Sequence, residues 1–329
     1  MESALVIGGT RFIGRHTVEE LLDHDYEVTI FNRGNHENPF SGNDHVAHIE
    51  GDRGDDKSVE AAAVSISPDL VIDCVAYFPE EVRKSIEIFS ESRYVYISSG
   101  SAYGTEEIPK RENETPLESC SAEQATDDSH ATYGARKAEG DRAIMEAAER
   151  GIEAMGVRPC IVYGPYDYTE RLDYWISRVE NYDRVLVPGD GQHLWHRAYV
   201  EDVASALRIV GEEGEPGELY NVGDRRLVTL EATLELVAEV VGTEVEVVHA
   251  GERELAAGGL SSDDFVLYRE RPHILSTAKL AALGWESTGV EEAMARTISE
   301  HEESGRTGSE HDPGREAEER VLDVLETVR

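Results

Sequence analysis

Ala4-Leu5-Val6-Ile7-Gly8-Gly9-Thr10-Arg11-Phe12-Ile13-Gly14 decides the fold of this chain. The first four residues read as a short buried strand, and an amphipathic helix follows the glycines to about Leu22. A strand, a glycine turn and a helix make the phosphate-binding start of a dinucleotide fold. Glycine lets the backbone approach a pyrophosphate, and a helix N-terminus presents unpaired N–H groups. The spacing is closest to Gly-x-x-Gly-x-x-Gly, with Arg11 in the middle glycine slot.

Outward from this turn, short β-like runs alternate with helical stretches to about residue 160. Strands are expected near 4–7, 26–31, 46–49, 69–74, 93–98 and 153–158, and helices near 12–24, 57–65, 79–91 and 132–150. Such alternation predicts an α/β protein with a doubly wound parallel sheet. A further helix at 201–211 and strand at 218–222 return to that sheet. The stretch from His301 to Pro313 is rich in Gly, Ser, Glu and Asp and reads as a linker before a last helical period, Glu316 to Val328.

Tyr133-Gly134-Ala135-Arg136-Lys137 carries the chemistry. Residues four apart share a helix face, so a phenol and an ammonium lie side by side. A nearby cation favours phenolate and draws the group toward acid/base work. Fourteen tyrosines and five lysines would give roughly 0.2 such pairs by chance, so context matters. Upstream, Ser98 and Ser99 follow the buried run Tyr94-Val95-Tyr96-Ile97, where a serine can bond a substrate oxygen while Tyr133 moves a proton.

Glycine turn, post-strand serine and Tyr-x-x-x-Lys occur in the order of a known family. The chain resembles the extended and atypical short-chain dehydrogenase/reductases, the NAD-dependent epimerase/dehydratase group. The matching segments are Gly8 to Gly14, Val71 to Ala76, Tyr96 to Gly104, Tyr133 to Lys137, Arg158 to Pro165, Tyr199 to Ala204, Leu219 to Gly223 and Leu283 to Glu286. The first of these, with Phe31-Asn32-Arg33-Gly34, is most similar to the atypical branch that contains the chloroplast stem-loop-binding proteins.

The resemblance implies a Rossmann domain over 1–165 plus 196–224, a smaller substrate-binding domain over 166–195 plus 225–300, and 301–329 as linker and C-terminal helix. It implies Tyr133 as the proton-transfer residue, Lys137 as the holder of the nicotinamide ribose, and Ser99 as the group orienting the reacting oxygen. Gly8, Gly9, Thr10, Arg11, Phe12, Ile13 and Gly14 would cradle the cofactor. Asp52 and Arg53 would lie by the adenine, Val75, Ala76 and Tyr77 would follow the fourth strand, and Pro159 and Val162 would pass the nicotinamide.

Ile30 to Gly34 holds no acid to accept a ribose 2′-OH, while Arg33, beside Asn32, and Arg11 can grip a 2′-phosphate. NADP is therefore expected over NAD. On the substrate side, Tyr166, Arg171 and Trp175 are expected to wall the pocket. The slot where sugar-nucleotide epimerases place an arginine holds Trp195, with Arg197 two residues later and Arg269 as a further anchor.

Composition bounds the rest. Acidic residues number 68 against 31 basic, a net charge of −37 spread along the whole chain. Self-repulsion of that size is relieved by molar salt, which points to a salt-in halophile. It also argues against nucleic acid, which needs a basic surface. No apolar run approaches a membrane span. Cys74, Cys120 and Cys160 lack metal-like spacing and suit a reducing cytoplasm, and no metal is expected.

The expected function is an NAD(P)-dependent epimerase/dehydratase-like oxidoreductase acting on a sugar nucleotide or related sugar. The alternatives are a dehydrogenase or reductase of a free sugar or small carbonyl compound, and a non-catalytic RNA-binding relative. The resemblance also implies a homodimer.

Overall fold

The computed structural model describes residues 2–328. From the N-terminus the elements run β1 (Ser3–Ile7), α1 (Phe12–Asp23), β2 (Glu27–Asn32), β3 (Val46–Glu50), α2 (Asp56–Ile66), β4 (Leu70–Asp73) and α3 (Pro79–Ile88). Next come β5 (Arg93–Ile97), α4 (Tyr133–Glu149), β6 (Ala154–Pro159), β7 (Ile161–Tyr163), α5 (Arg171–Asn181), β8 (Arg184–Pro188) and β9 (Arg197–Tyr199). The last are α6 (Val200–Glu213), β10 (Leu219–Val222), α7 (Leu230–Val241), β11 (Glu246–Ala250), α8 (Glu252–Gly258), α9 (Ala278–Ala281), α10 (Val290–Ser304) and α11 (Arg315–Val328).

The chain divides into two compact units. The first holds the residues up to Val162, Ala198–Gly223 and Leu275–Ser287; the second holds Tyr163–Arg197, Asp224–Ile274 and the chain from Thr288 onward. In the first, a seven-stranded sheet has the order β10-β6-β5-β4-β1-β2-β3, and all its pairings are parallel. Ile7 of β1 sits between Phe31 of β2 and Asp73 of β4. The strand order reverses between β1 and β4, and in such sheets the crevice beyond the strand C-termini at that reversal is where ligands bind.

Alternation along the strands builds a core on each face. Leu5, Ile7, Val71 and Tyr94 pack with Val59, Val82, Ile86 and Ile144 from α2, α3 and α4. On the other face α1 and α6 pack together over β1, β4, β5 and β6. Leu275–Ser287 joins this unit because Trp285, buried, donates its indole N–H to the Asp202 carbonyl at 3.0 Å, and Lys279 donates to the Leu219 carbonyl at 2.8 Å. The expected boundaries had put this stretch in the substrate domain.

In the second unit β8 and β11 pair in parallel, Arg184 opposite Glu246. The expected linker at 301–313 is partly helical, because α10 continues to Ser304 and ends on Gly305 at φ +67°. Beyond that glycine, side chains anchor the chain to the rest of the unit. Glu318 of α11, buried, accepts from Tyr174 at 2.8 Å and Arg178 at 3.1 Å, so this segment is part of the unit's packing.

Candidate active site

The glycine turn closes on its own backbone. Gly8 has φ +96°, a conformation that costs glycine nothing, and a Cβ there would meet Val75 at 2.6 Å. The Gly8 amide bonds the Phe31 carbonyl at 3.0 Å, tying the turn to β2. Arg11 begins α1 with no side-chain cap, and the first turn of α1 contains no acid. On a chain with 68 acidic residues, that end sets no first-turn carboxylate against the positive end of the helix dipole.

Arg11 is exposed and bonds His36 at 3.3 Å. Asn32, at the end of β2, donates to Thr10 at 3.3 Å and accepts from the Gly34 amide at 2.8 Å. Arg33 beside it is exposed. A carboxylate also reaches this turn: register places Glu50 of β3 opposite Asn32, and its carboxyl group lies against Gly34. Reading Ile30 to Gly34 alone missed it, because the acid comes from the neighbouring strand.

Asp52 is exposed and caps the Gly54 amide at 2.9 Å. Arg53, expected by the adenine, instead turns inward. It ion-pairs with the buried Asp73 and donates to Ser85 at 3.1 Å, while Tyr94 donates to the same carboxylate at 3.0 Å. A buried Asp73 needs this cation, so Arg53 serves the core. Val75 and Ala76 line the segment after β4. Tyr77, half exposed, offers its carbonyl to Arg136 at 3.1 Å. Pro159 and Val162 are buried beside the end of β6.

α4 carries the Tyr133–Lys137 pair. Tyr133 is its first residue and is half-buried; Lys137, one turn on, is buried. Gly134 sets their position, because a Cβ there would strike the Ser101 carbonyl, so only glycine lets α4 lie on the turn at 99–102. That turn is capped by Ser99, whose Oγ accepts from the Ser101 amide at 3.1 Å, and Ser99 is half-buried where Ser98 is buried. Ser99 and Tyr133 are thus brought to the same corner of the sheet.

The Lys137 ammonium donates to the Ala76 carbonyl at 2.8 Å and the Ile97 carbonyl at 2.7 Å. It lies 4.7 Å from the ring centre of Tyr96, 5.3 Å from that of Tyr77 and 5.8 Å from that of Tyr133. Burial pulls its pKa down to about 8, against the raising influence of Asp73, Asp141 and Glu81.

Two matches to the model of the NAD dependent epimerase/dehydratase family, over residues 4–92 and 80–223, together span more than half of the chain. The chain belongs to the NAD dependent epimerase/dehydratase family. Among its relatives in this family, the 41 kDa chloroplast stem-loop binding protein b of Arabidopsis thaliana is 26% identical over 85% of this chain and 74% of its own length. A low-salt glycan biosynthesis protein of Haloferax volcanii is 28% identical over 86% of this chain and 92% of its own. The dTDP-glucose 4,6-dehydratase of Bacillus anthracis, solved in complex with NAD, superposes with a TM-score of 0.72 over 92% of this chain and 97% of that one at 19% identity, a likeness of fold.

In this epimerase/dehydratase-family chain the second unit corrects part of the expected substrate wall. Trp175 is fully buried, donates to the Val266 carbonyl at 2.8 Å and packs on Phe265, so it is core. Arg197 is buried and donates to the Val228 carbonyl at 3.1 Å and to Thr233 of α7, which removes it as a diphosphate anchor. Tyr166, with φ +64°, and Arg171 are part-exposed. The Arg269 guanidinium lies 5.7 Å from the ring centre of Trp195, so the tryptophan in the arginine slot is itself paired with a cation.

Among the described residues no group of His, Cys, Asp and Glu is arranged to hold a metal, and no helix is long and apolar enough to cross a membrane.

Proposed function

We propose that this protein is an NAD(P)-dependent oxidoreductase of the epimerase/dehydratase type whose substrate is a sugar nucleotide. The observation that carries the reading is the corner where Gly134 seats α4 on the Ser99 turn, with the Lys137 ammonium beneath the Tyr133 ring. Ser99 orients a substrate hydroxyl or carbonyl. Tyr133 takes up or returns the proton on that oxygen, and Lys137 supplies positive charge while holding the segments after β4 and β5 through their carbonyls.

The turn from Gly8 to Gly14, with no acid in the first turn of α1, fits a dinucleotide pyrophosphate, and Asn32, Arg33, Val75 and Ala76 would border the rest. When bound, a nicotinamide dinucleotide supplies hydride acceptance and donation. We read the cofactor preference as NADP, because Arg33 and Arg11 offer guanidinium groups to a 2′-phosphate; Glu50 at the same turn opposes them. The family and the glycan-biosynthesis relative support the substrate class, and the NAD in the Bacillus dehydratase supports a nicotinamide dinucleotide as cofactor.

The test is incubation of the purified protein, in molar KCl with cofactor, with UDP-glucose and dTDP-glucose, products separated by chromatography. Conversion of either supports the reading. Turnover of free sugars alone would replace it with a simple reductase. We infer further, from the net charge of −37, that the fold is adapted to molar salt. Its unfolding temperature should climb steeply from low to molar KCl as exposed carboxylates are screened. A flat profile would remove that inference.

A further inference from the structure

Asp141 lies one helical turn past Lys137 on the same face of α4, in the interior of the first unit. Both it and Arg158 of β6 have side chains with 0% exposure, and the Arg158 Nε donates to Asp141 Oδ2 at 2.8 Å. The pair continues outward. Arg158 Nη1 donates to the Tyr103 hydroxyl at 2.9 Å, and that hydroxyl donates to Asn221 Oδ1 of β10 at 2.8 Å. Burial raises the Asp141 carboxyl above its ordinary value, and Arg158, Ser98 and Lys137 oppose that rise by favouring the ionised form. One carboxylate therefore bonds α4 to the end of β6, beside β5, the strand that carries the Lys137-binding Ile97 carbonyl and leads into Ser99.

A buried carboxylate with one cationic partner is a poor source of stability, since desolvation offsets most of the attraction. Its place beneath a buried ammonium gives it another use. Lys137 is bonded to two neutral carbonyls, so the positive charge needs a counter-charge nearby. The groups around it are Asp73 and Glu81, Arg136 on its own helix, and the rings of Tyr77, Tyr96 and Tyr133. Asp73 pairs with Arg53 as Asp141 pairs with Arg158, but Asp141 stands on α4 itself, one turn from Lys137, and its Oδ1 has no hydrogen bond of normal geometry among the described residues.

We propose that Asp141 is a positioning residue for the Tyr133–Lys137 pair: pinned by Arg158, it fixes α4 against the end of β6 and serves as counter-charge to the Lys137 ammonium. This rests on the catalytic reading of Tyr133 and Lys137, but its test needs no substrate. With five lysines in the chain, the Lys137 side chain can be followed by NMR of protein labelled with ¹³C-lysine, assigned by the Lys137→Met variant.

In Asp141→Asn the Lys137 resonance should titrate at lower pH, its acid dissociation constant rising about tenfold or more, while the other four lysines stay in place. If Asp141→Asn does not fold, the double variant Asp141→Asn/Arg158→Gln removes both charges together and should move Lys137 the same way. An unchanged Lys137 titration in the folded variant, with only a lower melting temperature, would make the pair structural and overturn the proposal. A failure of the sugar-nucleotide assay would leave this titration untouched, so the two readings fail separately.

Discussion

The α4 corner of the first unit and the α5 region of the second are both built on buried ions, yet they are assembled differently. In the first, Tyr133, Lys137 and Asp141 are spaced four apart on one helix, and the strands they meet belong to a regular sheet. In the second, charges far apart in sequence pin α5 and the turn before it. Glu318 of α11 accepts from Tyr174 and Arg178, and His301 of α10 bonds Asp173 at 2.6 Å. Arg306 pairs with Asp173 and Glu300, and Glu300 accepts from the Tyr166 amide at 2.9 Å. Under the proposed function the first arrangement aims groups at chemistry; the second holds a loop and helix in place. Changes in the first region should therefore alter rate, and changes in the second should alter stability.

The largest test falls on the first region. Tyr133→Phe should lower turnover by about 10²–10⁴-fold, the usual contribution of a general acid/base, with dinucleotide binding and melting temperature nearly unchanged. Turnover at the parent rate would sink the functional half of the comparison.

The second region is broken by Glu318→Gln and by Arg197→Ala. Each should cost about 1–3 kcal/mol by chemical denaturation, the scale of leaving buried polar partners unsatisfied. Because Arg197 is spent on Thr233 and Val228, UDP binding should survive its loss. Lost UDP affinity in a variant of parent stability would return Arg197 to the substrate site.

Two buried histidines of the second unit sharpen the contrast through pH. The Asp173 carboxylate raises His301 above its ordinary value despite burial. Its bond therefore contributes fully below about pH 6.5 and is lost as pH rises through the raised value. His196 is pulled down to about 4 by burial, with its Nε2 bonded to the Asp224 carbonyl at 2.7 Å. The unfolded chain binds the proton first, so this site loses stability as pH falls from about 6.5 toward 4. Melting temperature against pH should lose its alkaline slope in His301→Gln and part of its acid slope in His196→Gln. Parallel curves for parent and variants would remove both assignments.

The smallest effect is expected at the exposed Arg33. Arg33→Ala should weaken NADP several-fold, below the 1.5–3 kcal/mol of a buried charged hydrogen bond, and leave NAD unchanged. Equal loss of both cofactors in calorimetric titration would show that Glu50 and the Gly34 turn, rather than the arginine, set the choice.

Much of the first region was legible because its signals are local. The Gly8 turn follows from strand, glycine and helix periodicities within eleven residues, and Tyr133 and Lys137 share a face by helix geometry alone. Asp141 was readable by the same spacing, one turn further on. Its partner was not: Arg158, Tyr103 and Asn221 stand in family-like segments, but nothing in their spacing says that they meet.

The amino-acid sequence by itself determined the alternating α/β order, the glycine turn, the shared helix face of Tyr133 and Lys137 and the acidic charge, because each depends on backbone periodicity, residue chemistry or composition. Only the tertiary structure decided where the long cationic side chains go. Arg53 turns to Asp73 and Arg178 to Glu318, since a buried carboxylate needs a cation, and Arg197 turns to the neutral Thr233 hydroxyl and Val228 carbonyl; each acceptor is set by packing between distant segments. The same holds for Glu50, which reaches the Gly34 turn through strand register, and for Leu275–Ser287, which joins the sheet unit through the buried Trp285 indole and the Lys279 ammonium.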